Sequence, residues 1–299
     1  MSVFIINVKR NVKLFFKDKG LFFTSLATPL ILLVLYATFL SGIYESSFTT
    51  QFEAMNIVIE ASMLQGLVGG QLLTSLLGIS CVTVAVCSNM LMVQDKFMGS
   101  RKDMLITPVK RSTLALSYFT ASFLSTLIVC LVAMALGLIY VAIGGWYLSF
   151  LDVILILVDV IVLTLFGTAL SSIINFFLSS QGQVSAVGSI VSSVYGFVCG
   201  AYMPLSQFSP GLRSVMTFFP GTHGMSLLKN HTIGGVFREM VSQGVPSEAI
   251  EGIKSSIDCN ISMFGTNVST WAMFAILFGA VLLLVGIYVL MNLLSKKKS

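Results

Sequence analysis

Six long apolar stretches decide what this chain can fold into. They run about 21–43, 66–93, 114–143, 151–178, 184–203 and 268–294. About 20 apolar residues in a helix cross a hydrocarbon core about 30 Å thick. In lipid each backbone N–H and C=O must be satisfied within the spanning structure, so such stretches form helices. Composition points the same way. Of the 299 residues 56% are hydrophobic and 10% are charged, where soluble domains carry roughly a quarter charged residues. The expectation is one all-α membrane domain over 1–299 with six transmembrane helices.

The net charge of +5 sits in clusters beside the apolar runs. Lys9, Arg10, Lys13, Lys17 and Lys19 precede the first. Lys96, Arg101, Lys102, Lys110 and Arg111 separate the second from the third, and Lys296, Lys297 and Lys298 follow the last. Lysine and arginine collect on the cytoplasmic side. That rule puts both termini and the 94–113 loop in the cytoplasm of a multi-pass cell-membrane protein, with no call for nucleic acid as a partner. The first run is too long for a signal h-region and no small-x-small cleavage site follows it, so it reads as a retained helix. In residues 1–20, Ile5, Val8, Val12 and Phe15 keep helical spacing while Lys9, Lys13 and Lys17 lie toward the other side. This is the pattern of a basic amphipathic helix in the membrane interface, with Gly20 as the turn into the first span. After the fifth stretch, Pro204, Pro210 and Pro220 cut a Phe-rich run into pieces too short to span. Residues 204–267 read as an extracellular re-entrant segment followed, from about Lys229, by a polar cap.

Chemistry-bearing patterns are scarce. Cys81, Cys87, Cys130 and Cys199 lie in or beside apolar runs and act as small hydrophobes. Neither the cysteines nor His223 and His231 have metal-ligand spacing. The chain has no GxxxxGK[ST] loop, so it cannot hydrolyse ATP by that mechanism alone, and an enzyme reading has little support. Two features stand out inside the spans. Asp159 lies seven residues beyond Asp152, about 10 Å deeper along one helix face. A charge at that depth costs at least about 2.5 kcal/mol. Asp159 therefore marks an ion or proton site, bonds across helices, or reaches the interface near Trp146 and Tyr147. Small residues also recur at three- and four-residue spacing in the second and fifth spans, including Thr74, Gly78 and Cys81 in one and Ser185, Ser189, Ser192 and Gly196 in the other. Such stripes let helices approach closely. They serve packing, or they meet across a dimer axis and line a substrate route, and both can hold at different depths.

The most informative segment runs from Gln94 to Arg111: QDKFMGSRKDMLITPVKR. It is short and charged, and Pro108 ends any helix at about Thr107. It resembles the cytoplasmic element of type-2 ATP-binding-cassette (ABC) exporter membrane subunits, in which D-(K/R)-x-x-G leads to L-x-x-T-P-(V/L)-x-R. Here Asp95, Lys96 and Gly99 are followed by Leu105, Thr107, Pro108, Val109, Lys110 and Arg111. The basic leading helix, Pro29 in the first span, Met203-Pro204-Leu205 and Phe219-Pro220-Gly221 fit the same ABCG-like pattern.

The resemblance implies a permease that carries no cofactor of its own and pairs with a separate ABC ATPase, which holds ATP and Mg. Two permeases, as a homodimer or a heterodimer, complete the transporter in a plasma membrane of bacterial type. The coupling element onto the ATPase would comprise Asp95, Lys96, Gly99, Arg101, Lys102, Asp103, Thr107, Pro108, Lys110 and Arg111. Spans two and five would line the pathway. The long polar outer loop departs from compact family members. The candidate lining of small residues and hydroxyls suits a hydrophobic or amphipathic cargo, such as a drug, an antimicrobial peptide or a lipid-like molecule. A sodium exporter is the alternative, motivated by Asp159; a channel or intramembrane enzyme is more distant.

Overall fold

The computed structural model describes residues 3–106, 109–263 and 265–294. Thr107, Pro108 and the three C-terminal lysines lie outside the described residues. The amphipathic leader forms helix α1 (Val3–Lys17), which buries Asn11 and Phe15. The chain breaks at Asp18, two residues before the expected turn at Gly20. The reason is capping: the Asp18 carboxylate accepts from Leu21 N at 3.1 Å and starts helix α2 (Lys19–Leu35). Helix α2 runs through a π turn (Tyr36–Leu40) into α3 (Ser41–Ala54). The 36 residues from Lys19 to Ala54 form one helical rod. At 1.5 Å per residue it is about 54 Å long, so its polar α3 end extends past a 30 Å core.

Helices α4 (Ala61–Ser88) and α5 (Met90–Phe97) follow, with α6 (Ser100–Ile106) after a turn at Gly99. Gly99 has φ +86°, where a side chain is strained. Then come α7 (Arg111–Gly144), α8 (Phe150–Phe177) and α9 (Gln181–Val198). Ser149 and Asp152 cap α8 reciprocally: Ser149 Oγ accepts from Asp152 N at 3.2 Å, and Asp152 Oδ2 accepts from Ser149 N at 2.8 Å. The stretch expected as a broken loop and cap is largely helical: α10 (Pro210–Thr217), α11 (Pro220–Ser242) and α12 (Ser247–Ser256). Prolines start α10 and α11 rather than breaking them, since the first helical position needs no N–H partner. A two-residue hairpin pairs β1 (Ser262–Met263) antiparallel to β2 (Thr266–Asn267). Helix α13 (Thr270–Leu294) closes the described fold.

Among the described residues five helical stretches are long and apolar enough to cross a membrane: 19–54, 61–97, 111–144, 150–177 and 270–294. The sixth expected span, α9, has 18 residues. That is about 27 Å, and Gln181, Gln183 and four serines lower its hydropathy. It runs beside α5 and α4, from Met90 of α5, which meets Gln181, to the level of Ser75 of α4, whose Oγ donates to Ala201 O just past α9 at 2.9 Å. There α11 begins beside it: a Cβ on Gly221 would lie 2.9 Å from Cys199 Sγ.

Helix α4 is the axis of the molecule. It is buried along nearly its whole length and packs against α2, α7, α8, α9 and α11. Its small residues make this possible. Side chains of α11 fill the space over Gly66, Gly70 and Gly78 through Val236, Ile233 and Met225, so α11 runs antiparallel to α4. Gly167 of α8 lies against Cys81, where an added Cβ would sit 2.5 Å from Cys81 O. Such approach is how helices associate where lipid offers no hydrophobic drive. Outward faces of α2, α7 and α13 expose Phe23, Ile31, Val34, Ile139, Leu282 and Leu283, as lipid contact requires.

Candidate functional site

Asp95, near the end of α5, is only 5% exposed and is the centre of the basic end of the molecule. Arg10 of α1 grips it with both guanidinium nitrogens, Nη1 at 2.7 Å and Nη2 at 3.1 Å. The Tyr118 hydroxyl of α7 donates to the same carboxylate at 2.6 Å. A two-pronged arginine contact fixes orientation as well as charge, so the interfacial helix is locked to the start of the 94–111 segment.

The rest of that segment is anchored as firmly. Lys96 Nζ donates to Phe176 O at 3.0 Å and Leu178 O at 2.7 Å, the unpaired carbonyls at the end of α8. Gly99 O accepts from Lys102 N at 2.7 Å, which begins α6. Arg101 Nη2 donates to Asn292 Oδ1 of α13 at 3.0 Å. Lys102, Asp103 and Lys110 are exposed, and Arg111 is half-buried at the start of α7. The structure thus gathers Asp95, Lys96, Gly99, Arg101, Lys102 and Asp103 into one helix-turn-helix element tied to α1, α7, α8 and α13. On its free surface it carries an apolar edge: Phe97 is 68%, Met98 75% and Ile106 84% exposed. Sequence reading had picked the charges and passed over this edge, because an apolar residue beside a membrane span looks like the end of the span. A second hub lies just above. Asn89 Nδ2 donates to Ser171 Oγ at 2.9 Å and Ser172 Oγ at 2.6 Å, while its Oδ1 accepts from Ser122 Oγ at 3.2 Å.

The proposed pathway residues fall into two separate places. Thr74, Gly78 and Cys81 are inside the core. Thr74 Oγ1 meets Thr232 Oγ1 at 2.6 Å, Gly78 faces Met225, and the Cys81 thiol takes Thr164 Oγ1 at 3.5 Å. Ser185 and Ser189 are exposed on α9 and Ser192 is half-buried, whereas Gly196 is covered by the Tyr202 ring. Helix α9 packs mainly on α4 and α5 and leaves Ser185, Ser189 and Ser193 exposed together with Ile190, Val194 and Phe197.

Asp159 is 2% exposed and shares a hydrogen bond with His231, Oδ2 to Nδ1 at 2.5 Å. Asp152 is held by Arg238, and Lys229 reaches Asp258 at 3.4 Å and Gly200 O at 3.1 Å. Of the three openings left by the sequence, the structure shows a bond across helices. None of these basic partners was identified from sequence. The signal was there: His231 and Arg238 are seven apart, as are Asp152 and Asp159, which matches two antiparallel helices in register.

Groups outside the spans behave as their surroundings dictate. Burial pushes the Cys259 thiol up to about 12. The Lys254 ammonium holds the Glu251 carboxyl below its usual range against desolvation, with help from Asn260. All five cysteines are free thiols, and no group of three or more metal-capable side chains occurs among the described residues.

No curated protein matches the chain. The family model for the ABC-2 type transporter matches residues 2–230, from α1 through the 95–106 element and α9 into α11. This stretch carries both the anchored cytoplasmic-type element and the buried α4 axis, and the chain belongs to the ABC-2 type transporter family.

Proposed function

We propose that this ABC-transporter membrane subunit exports a hydrophobic or amphipathic compound by alternating access, driven by a separate ABC ATPase at its basic end. The observation that carries the reading is the 95–106 element. It offers exposed Phe97, Met98 and Ile106 to a partner, while Asp95, Lys96 and Arg101 fix it to four transmembrane or interfacial helices. A push on the element is therefore delivered to α1, α7, α8 and α13 together. A loop held only by its ends would absorb the push instead. Thr107 and Pro108 extend this element in sequence, and Lys102, Asp103, Lys110 and Arg111 supply its polar rim.

The second permease packs against α9 in this reading. An open face that mixes Ser185 and Ser189 with exposed Ile190, Val194 and Phe197 suits a seam between two copies in which an amphipathic cargo moves. ATP closing the ATPase pair would draw the two coupling elements together, and cargo is moved only if it binds the two states differently. The termini and the 95–106 element lie on the cytoplasmic side by the positive-inside rule. The sodium alternative is less favoured, because Asp159 is already engaged by His231.

The test is co-purification with the ATPase followed by ATP hydrolysis in reconstituted vesicles. Stimulation by amphipathic compounds is expected. Charge reversal at Arg101 and Lys102 should leave membrane insertion intact and uncouple hydrolysis from export. Single cysteines at Met98 or Lys102 that never cross-link to an ATPase would sink the assignment.

A further inference from the structure

A groove runs along the face of the molecule where α2 and α7 diverge, with α4 as its floor. Toward the basic end it is a cavity of about 190 Å³ with purely apolar walls, including Leu26, Leu30, Leu33, Val132 and Leu136. Toward the opposite end it widens to a cavity of about 300 Å³ lined by Ser41, Glu45, Gln65 and Tyr140 beside Val68 and Ile143. Between them lies a much smaller pocket of about 10 Å³, walled by Tyr36, Leu73 and Tyr140, that forms the waist of the groove. The two chambers share lining residues with this waist: Leu33 and Leu76 below, Tyr140 above.

Two irregularities in the α2–α3 rod bracket the groove. Pro29 lines the lower chamber and has no N–H to give Ser25 O. The π turn at Tyr36–Leu40 inserts an extra residue per turn beside the waist. Interruptions of this kind bend a helix or shift its faces, and here α2 meets α7 only sparsely. The groove therefore opens sideways: Leu30, Val132, Leu136 and Ile143 are all substantially exposed.

Charge at the groove is one-sided. Among the described residues Glu45 is the sole charged group lining any of the three chambers, it is exposed, and it makes no ion pair. Among the same residues no lysine, arginine or histidine lines them. An apolar slot ending at an unpaired carboxylate complements one alkyl chain ending in a cation. It offers nothing to a phosphate.

We propose that this groove binds a single-chain cationic amphiphile, its alkyl chain in the Leu30–Leu136 chamber and its ammonium group at Glu45. Tyr140 and Gln65 stand at the head-group end as hydrogen-bonding groups. Entry is lateral, from the bilayer, on a face distinct from the open face of α9. That such a molecule is also cargo rests on the export reading above; that it binds does not.

The test uses the purified full-length chain in a neutral detergent and a long-chain alkylamine carrying a mid-chain diazirine. The same-chain alkyl sulfate and a diazirine phosphatidylethanolamine serve as competing probes. Photolysis followed by peptide mapping should place the amine's label on Leu30, Leu33, Val132 and Leu136. Labelling by the amine should exceed that by the sulfate about 5-fold, the range a half-exposed ion pair supports. Glu45→Gln should abolish that preference. Leu136→Trp, at a position 41% exposed, should fill the lower chamber and cut labelling without altering the size-exclusion profile. Equal labelling by the sulfate would overturn the proposal. So would labels spread over lipid-facing residues such as Phe23 and Trp271, or preferred capture of the phospholipid. Labelling is read without the ATPase. An amine that marks the groove but leaves ATP hydrolysis unchanged in the assembled transporter therefore counts against its export and leaves the site standing.

Discussion

Replacing Arg10 with alanine removes both guanidinium contacts to Asp95 and leaves a carboxylate whose side chain is 8% exposed with Tyr118 as its remaining donor. Hydrogen bonds to a charged group contribute about 1.5–3 kcal/mol. Arg10 itself is 33% exposed, so water screens the pair and partly replaces the lost contact. The expected loss is about 1–3 kcal/mol, below the cost of stranding a wholly buried charge. A double-mutant cycle isolates the pair. Arg10→Ala, Asp95→Asn and the double variant would be unfolded by denaturant in micelles, with far-UV circular dichroism as readout. Because Asp95→Asn removes the charge that Arg10→Ala strands, the double variant should recover about 1–2 kcal/mol relative to additivity. The same variants should lower the coupling ratio of ATP hydrolysis to export in the assembled transporter, since α1 would no longer follow the 95–106 element. Strict additivity together with full coupling in Arg10→Ala would show that the contact carries neither stability nor force.

Gly78→Trp should abolish a stable monodisperse chain on size-exclusion, because Met225 occupies the space over Gly78. Ser189→Trp should keep that profile, since its site is exposed, and should reduce transport if α9 faces the second copy. Asp159→Asn should weaken the α8–α11 contact by about 1–3 kcal/mol through the lost charged hydrogen bond, seen as faster hydrogen exchange across α11; sodium export that vanishes with folding intact would revive the ion reading. Glu251 is held below its usual range by Lys254 and Asn260, so its contribution to the cap is present above the ordinary glutamate pKa of about 4.3 and lost as pH falls through the lower folded value. Amide exchange in 247–260 should therefore rise, relative to its intrinsic rate, between pH 6 and pH 3.5. Cys259, 1% exposed with its thiol raised to about 12, should resist maleimide at pH 8 until the cap is unfolded.

Much of this architecture is legible in the residues because lipid imposes a simple length and hydropathy rule. Five spanning helices, the basic leader and the charged element after α5 follow from it directly. Two places are less plain, for different physical reasons. Helix α9 reads as a sixth span from its Val-Ile-Phe content, while Gln181, Gln183 and the serines leave it outside the five stretches that are apolar enough by hydropathy. The polar cap expected from about Lys229 instead begins inside α11, because hydropathy counts Lys229, His231 and Arg238 only as polar residues. The structure satisfies each of them with an acid distant in sequence, and hydropathy carries no record of such a partner. The pathway stripes were ambiguous for a similar reason: a small residue permits close approach but does not say to what. For Gly78 the neighbour is α11, and for Ser189 it is open space.

The charges on α11 also bear on how the fold can move. Pairing Asp152 with Arg238 and Asp159 with His231 joins α8 to α11 at two levels on one face. Lys229, buried to 1% exposure, ties the same helix to Asp258 and Gly200 O at the junction where α9 ends. On its other side α11 seats Val236, Ile233 and Met225 over Gly66, Gly70 and Gly78 of α4, with Thr232 Oγ1 meeting Thr74 Oγ1 at 2.6 Å. The charged contacts thus bind α11 to α8 and the cap, while α4 holds it by packing and one neutral hydrogen bond. If the molecule changes shape during transport, α11 should travel with α8 and slide along α4. A disulfide between cysteines placed at Val236 and Gly66 should arrest the cycle, whereas one between cysteines at His231 and Asp159 should spare it once the charge loss is controlled by the unlinked pair. Arrest by the second link and free turnover with the first would reverse the assignment of the moving boundary.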